Sequence, residues 1–159
     1  MRLRMTIVLF LVVIAAAGYS YQKSLNRQSV SDRQLILSLL QTGQTAAEKK
    51  DIPGVLALVS RNYRDTDGRT YPVVRLHVRD ALTSEADVDV AVLQPVIRVT
   101  GQSATVTTRI VVTDLEEPDK PLFDGDVVIR LSKEKLRVSW VFSTRAWRVT
   151  AVEGISEVF

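Results

Sequence analysis

The chain has no cysteine and a single histidine, His77, in 159 residues. The missing cysteines exclude disulfide staples, thiol catalysis, cysteine-ligated metal and a lipid attached through cysteine. The fold must therefore be held by packing alone, and any imidazole chemistry rests on one position. Aromatic residues are only 6% of the chain, with two tryptophans, Trp140 and Trp147. The large apolar groups are thus few enough to follow one by one. A strong excess of one charge is also missing. There are 21 Lys and Arg against 18 Asp and Glu, and setting aside Arg2 and Arg4 lowers 21 to 19. With the remainder nearly balanced, a nucleic-acid partner is not expected. No contiguous catalytic or metal-binding signature occurs, and neither cofactor nor metal is expected.

What is present begins with the N-terminus. Arg2 and Arg4 precede an almost unbroken apolar run, Met5 to Ala17, after which polar sequence takes over at Ser20. A positive start followed by an apolar stretch directs a chain to or across a membrane. Ala15-Ala16-Ala17 offers a signal-peptidase site with the cut after Ala17. No polar spacer separates the alanines from Ile14, however, and Tyr19 and Tyr21 sit where interfacial aromatics belong. The reading is a retained single-pass anchor over 5–21 with its Arg-bearing end in the cytoplasm; the alternative is a cleaved signal peptide and a secreted protein. Residues 22–30 are a polar tether, and 31–159 one domain outside the cytoplasm.

Within that domain, Ser31-Asp32-Arg33-Gln34 has capping-box spacing. Leu35, Ile36, Leu39, Leu40, Gly43, Ala46 and Ala47 then recur at helical steps to about Lys50. Asp51-Ile52-Pro53 opens a second helix with Asp51 as N-cap. A third is expected from Pro72 to about Leu82, with Val73, Val74, Leu76, His77, Ala81 and Leu82 on its inward stripe. Strands follow. Val88, Val90 and Val92 alternate with less apolar neighbours, and Pro95 marks a bulge or an edge. Val96–Thr100 and Ala104–Thr113 make a hairpin. Gly125–Leu131, Leu136–Ser143 and Trp147–Ala151 complete the series. Helices first and antiparallel strands second indicate an α+β domain whose helices cover one sheet face.

The order of elements, the break at Lys50-Asp51-Ile52-Pro53-Gly54, the helix end at Ser60-Arg61-Asn62-Tyr63 and the closing Ala146-Trp147-Arg148-Val149-Thr150-Ala151-Val152 resemble the nuclear transport factor 2-like superfamily. The resemblance spans roughly Ser31 to Gly154. It implies three helices packed on a strongly curved antiparallel sheet, forming a cone with a pocket at its mouth. The Leu136–Ser143 strand departs from that pattern and is expected to lengthen a hairpin. Because this fold hosts lyases, isomerases, binding modules and assembly domains alike, function must come from the residues.

The resemblance makes His77 the candidate acid-base group, with Asp80 or a tyrosine, Tyr63 or Tyr71, beside it; the plainer reading packs His77 on a helix flank. Tyr63, Tyr71, His77, Trp140 and Trp147 are the candidate pocket residues. Asp65-x-Asp67-Gly68 lacks the further oxygen ligands and closing glutamate of a calcium loop and reads as an Asx-type turn. Arg61, Arg64, Arg69, Arg75 and Arg79 form the densest basic stretch. It suits anionic headgroups or an acidic partner, or else a solvated surface neutralised by Asp65, Asp67 and Asp80. Trp140, Trp147 and Phe142 fill the cone if they face inward. Facing outward, they would make a sheet surface for a homodimer or an envelope protein; Val141 and Val152 give the opposite face apolar character too. The resulting expectation is a non-catalytic binding or interaction domain. A small lyase or isomerase using His77 and a structural subunit of an envelope complex are the alternatives.

Overall fold

A computed structural model of the chain describes residues 31–83, 87–137 and 143–154. The chain falls into two units, Met1–Gln34 and Leu35–Phe159. Of the first only helical residues 31–34 are described, and the packing reported below is that of the second. The apolar run 5–17, the tether, Trp140, Val141 and Phe142 lie outside the described residues. Among the described residues no helix is long and apolar enough to cross a membrane.

Helix α1 covers described residues 31–48. Ser31 is itself helical rather than an N-cap, so the capping-box expectation fails there. The C-terminus closes as a Schellman motif: the amide of Lys50 donates to Ala47 O at 3.0 Å and that of Asp51 to Ala46 O at 2.8 Å. Lys50 takes the left-handed position usually given to glycine, with φ 54°. Asp51 then caps α2, Ile52–Ala57, accepting from the Gly54 amide at 3.0 Å. Pro53 is tolerated because a first-turn residue has no intrahelical acceptor for its N–H. Helix α3 spans Tyr71–Leu82 and packs on α2.

The sheet is a four-stranded antiparallel meander in the order β1 (Val88–Thr100), β2 (Ser103–Asp114), β3 (Pro121–Arg137), β4 (Ser143–Glu153). The two runs around Pro95 are thus one edge strand. Its register skips between Leu93 and Val96, where Gln94 has φ 48°. Buried Thr108 donates its hydroxyl to Leu93 O at 2.7 Å, satisfying a carbonyl that the bulge takes out of the ladder. Of the run Leu136–Ser143, Leu136 and Arg137 end β3 and Ser143 begins β4, and the two strands pair as one long hairpin; residues 138–142 lie outside the described residues. Ladder bonding continues while the neighbouring strand offers partners, which sequence alternation does not reveal.

A second skip, between Arg130 and Leu131, leaves Thr150 as the extra residue on β4. That bulge reverses the alternation, so Val149 and Val152 both point to the helix side instead of Val152 facing away. It is tied down from outside the sheet. Leu58 to Arg64 runs along the free edge of β4, exchanging Ser60 N–Val149 O at 2.9 Å, Val149 N–Leu58 O at 2.9 Å and Arg64 N–Thr150 O at 3.0 Å. An otherwise open strand edge is thereby covered. The core joins Ile36 to Ile97, Ala104, Val106, Val127, Ile129, Leu131 and Trp147. Trp147, 3% exposed, faces inward. The outward sheet face instead carries ion pairs, with Arg109 gripping Asp124 at 2.6 and 2.8 Å and Arg130 meeting Glu153 at 2.9 Å. The Arg109 guanidinium holds the Asp124 carboxyl below the usual carboxylate range.

Candidate functional site

Between the helices and the inner sheet face lies a cavity of about 380 Å³. Leu39, Leu40, Gly43 and Ala47 of α1, Val55 of α2 and the following Leu58 and Val59 line one side. Val90 and Val92 of β1, Ile110 of β2, Ile129 of β3 and Val149 and Val152 of β4 line the other. Helix α3 contributes Val74, His77, Val78, Ala81 and Leu82, positions three and four apart that share a helix face. The expected stripe is therefore displaced by about one residue. Val73 and Leu76 are exposed, Leu76 by 49%, and Val78, absent from the expectation, faces the cavity. On α1 Leu35 is likewise exposed. Apolar identity alone gave these leucines and valines to the core, but only one side of each helix meets other elements.

Of the candidate pocket residues, His77 and Tyr63 line this cavity. Tyr71 is buried but is not among its lining; Arg61 lies over its ring at 4.3 Å from the centroid. Trp147 belongs to the packed core rather than the cavity wall, and Trp140 lies outside the described residues. Asp80 pairs with Arg79 at 3.4 Å on the exposed side of α3, away from the lining that holds His77. Among the described residues no carboxylate is part of the lining. Gln44 and Arg69 are the other polar lining residues, and neither was expected from the sequence.

These polar groups are largely occupied by the protein itself. Tyr63, 4% exposed, accepts from the Val152 amide at 3.1 Å and donates to Asp65 Oδ2 at 3.3 Å. Burial, with the Asp65 charge adding to it, pushes its phenol up to about 12, so it stays a neutral hydroxyl. Asp65 organises the loop before α3. Its Oδ1 accepts from the amides of Asp67 at 3.1 Å and Arg69 at 2.9 Å, the Asx-type turn expected here. Gly68 turns the chain with φ 78°. The Arg69 guanidinium lies 3.7 Å from Asp65 Oδ2 and donates to Asp67. The Gln44 amide donates to Glu48 at 3.1 Å. Among the described residues no group of acidic, histidine or cysteine side chains could hold a metal ion. Three of the five arginines in the basic stretch are thus held internally: Arg61 on a ring, Arg69 and Arg79 on aspartates.

The architecture matches solved structures. An NTF2-like protein with a cystatin-like fold from Novosphingobium aromaticivorans superposes with TM-score 0.61 at 13% identity, covering 82% of this chain and 85% of that one. The fold is nuclear transport factor 2-like. An NTF2-like protein of unknown function from Pseudomonas putida gives TM-score 0.63 at 11% identity, over 77% and 84% of the two chains. Bd1075 of Bdellovibrio bacteriovorus gives 0.60 at 16% identity; 77% of this chain aligns, spanning only 39% of that longer protein. By sequence, no family model and no curated protein matches the chain.

Proposed function

We propose that this protein is a non-catalytic binding module that receives a small apolar molecule in its cone. It is displayed outside the cytoplasm on the membrane anchor over 5–21, or secreted after cleavage following Ala17. The observation that carries the reading is the cavity itself: about 380 Å³, within the range of small-molecule sites, and walled almost wholly by aliphatic side chains. Apolar surface of that extent gains free energy when a ligand displaces water from it. The test is thermal unfolding of residues 22–159 with graded n-alcohols. The melting temperature should rise with ligand concentration, and the rise should vanish in Val78→Trp, which fills the cavity. An unresponsive wild-type domain would overturn the reading.

A lyase or isomerase is the second reading, favoured by the presence of both His77 and Tyr63 in the cavity lining. It asks for a proton acceptor near a polarised carbonyl. Against it, the Tyr63 hydroxyl already serves Val152 and Asp65. Under this reading His77→Ala abolishes turnover at unchanged stability.

A further inference from the structure

Resting on the binding reading above, we infer that the cavity selects uncharged aliphatic molecules and rejects aliphatic carboxylates of the same length. Two independent features lead there. The first is what the wall is made of. Among the described residues the rings on it are the phenol of Tyr63 and the imidazole of His77, so a planar aromatic ligand finds little to stack on. An apolar cavity of ~150 Å³ admits benzene. By proportion this one holds roughly 15 non-hydrogen atoms, an alkyl chain of medium length.

The second feature is the charge set at the wall. Among the described residues Arg69 is the one lining cation whose charge is fixed at all ordinary pH. It is held by two carboxylates, Asp65 with a side chain 1% exposed and Asp67 with one 48% exposed. The cluster is therefore net negative by one charge. A ligand carboxylate placed beside Arg69 would find that cation already shared between Asp65 and Asp67, which lie behind the lining, and it would leave water without gaining an unshared cation. Asp65 cannot move aside, since two backbone amides and the Tyr63 hydroxyl fix it. Specificity of this kind comes from a repulsive element rather than an added contact. A neutral hydroxyl or ester suffers no such penalty. His77, which α3 contributes to the same lining, is a further titratable group there and must be tested separately.

The absence of native cysteine allows a direct experiment on the full chain in neutral-lipid nanodiscs. Val78→Cys puts one thiol on the cavity wall, and its rate of alkylation by N-ethylmaleimide is followed by mass. Decanol should slow the reaction at concentrations at least about tenfold below those at which decanoate does. His77→Asn should leave that ratio unchanged. Asp67→Asn, an exposed substitution that keeps Asp65 in place, should narrow the ratio several-fold. Equal protection by decanol and decanoate would overturn the charge rule while leaving the binding reading intact. Protection by neither would overturn both. A ratio that survives Asp67→Asn but collapses in His77→Asn would remove the Arg69 cluster as its cause.

Discussion

Replacing Tyr63 by phenylalanine removes one oxygen and nothing else, and the structure says what that oxygen does. It accepts from the Val152 amide at 3.1 Å and donates to Asp65 at 3.3 Å, in a residue 4% exposed. In Tyr63→Phe the partly buried Val152 N–H loses its protein partner, at a cost of ~1–3 kcal/mol. The bond to Asp65 is long for a hydroxyl donor and adds little, because Asp65 keeps its two amide donors and Arg69. The expected loss is about 2 kcal/mol, or roughly 8 °C in melting temperature for a domain of this size. Urea unfolding at unchanged m-value would measure it. The pH dependence supplies a second readout. The folded-state pKa of Tyr63 is raised from its ordinary value to about 12, so its stabilising share is complete below about pH 10. It is lost as pH climbs through about 12, because the unfolded chain releases the proton first. Over that window the wild type should lose ~2–3 kcal/mol more than Tyr63→Phe does. A variant within about 0.5 kcal/mol of wild type, with the same alkaline limb, would refute the argument that this hydroxyl pins the bulge.

Two further substitutions examine the frame around the cavity. Thr108→Val keeps volume but withdraws the hydroxyl that serves Leu93 O at 2.7 Å; it should cost ~1–3 kcal/mol in chemical unfolding, with amide exchange accelerated locally at residues 93–97. At Gly154, φ is 94° and a Cβ would lie 2.3 Å from Asp126 O. Gly154→Ala should therefore lower stability by at least ~2 kcal/mol, seen as a fall in denaturation midpoint, whereas Gly68→Ala, with open space around it, should cost only ~1 kcal/mol for its left-handed backbone.

Much of this molecule follows from local chemistry. The Asp51 cap, the helix break just before Ile52-Pro53, the turn at Asp65-Thr66-Asp67-Gly68 and the bulge at Pro95 depend on a few adjacent residues each. All four appear in the structure where the residues put them. The alternation of Val106, Thr108 and Ile110 likewise determined one inward sheet face. Other features needed the packed chain. Period and alternation define the faces of an element but not which face meets a neighbour, so Leu35, Val73 and Leu76 sit in solvent while Val78 lines the cavity. The bulge at Thr150 arises from pairing with β3 and from the strand edge occupied by Leu58 to Arg64. It turns Val149 and Val152 to the same side, against their spacing in the chain. For Trp147 alone the packed chain decides likewise: it faces inward, in one core cluster with Ile36, Ile97 and Leu131. Arg69 shows the division most plainly. Its sequence neighbours supply the two aspartates that hold it, but only the folded chain makes Arg69 part of a cavity wall. Short-range hydrogen bonds and backbone preferences are written locally, whereas burial is a property of surfaces that come together only on folding.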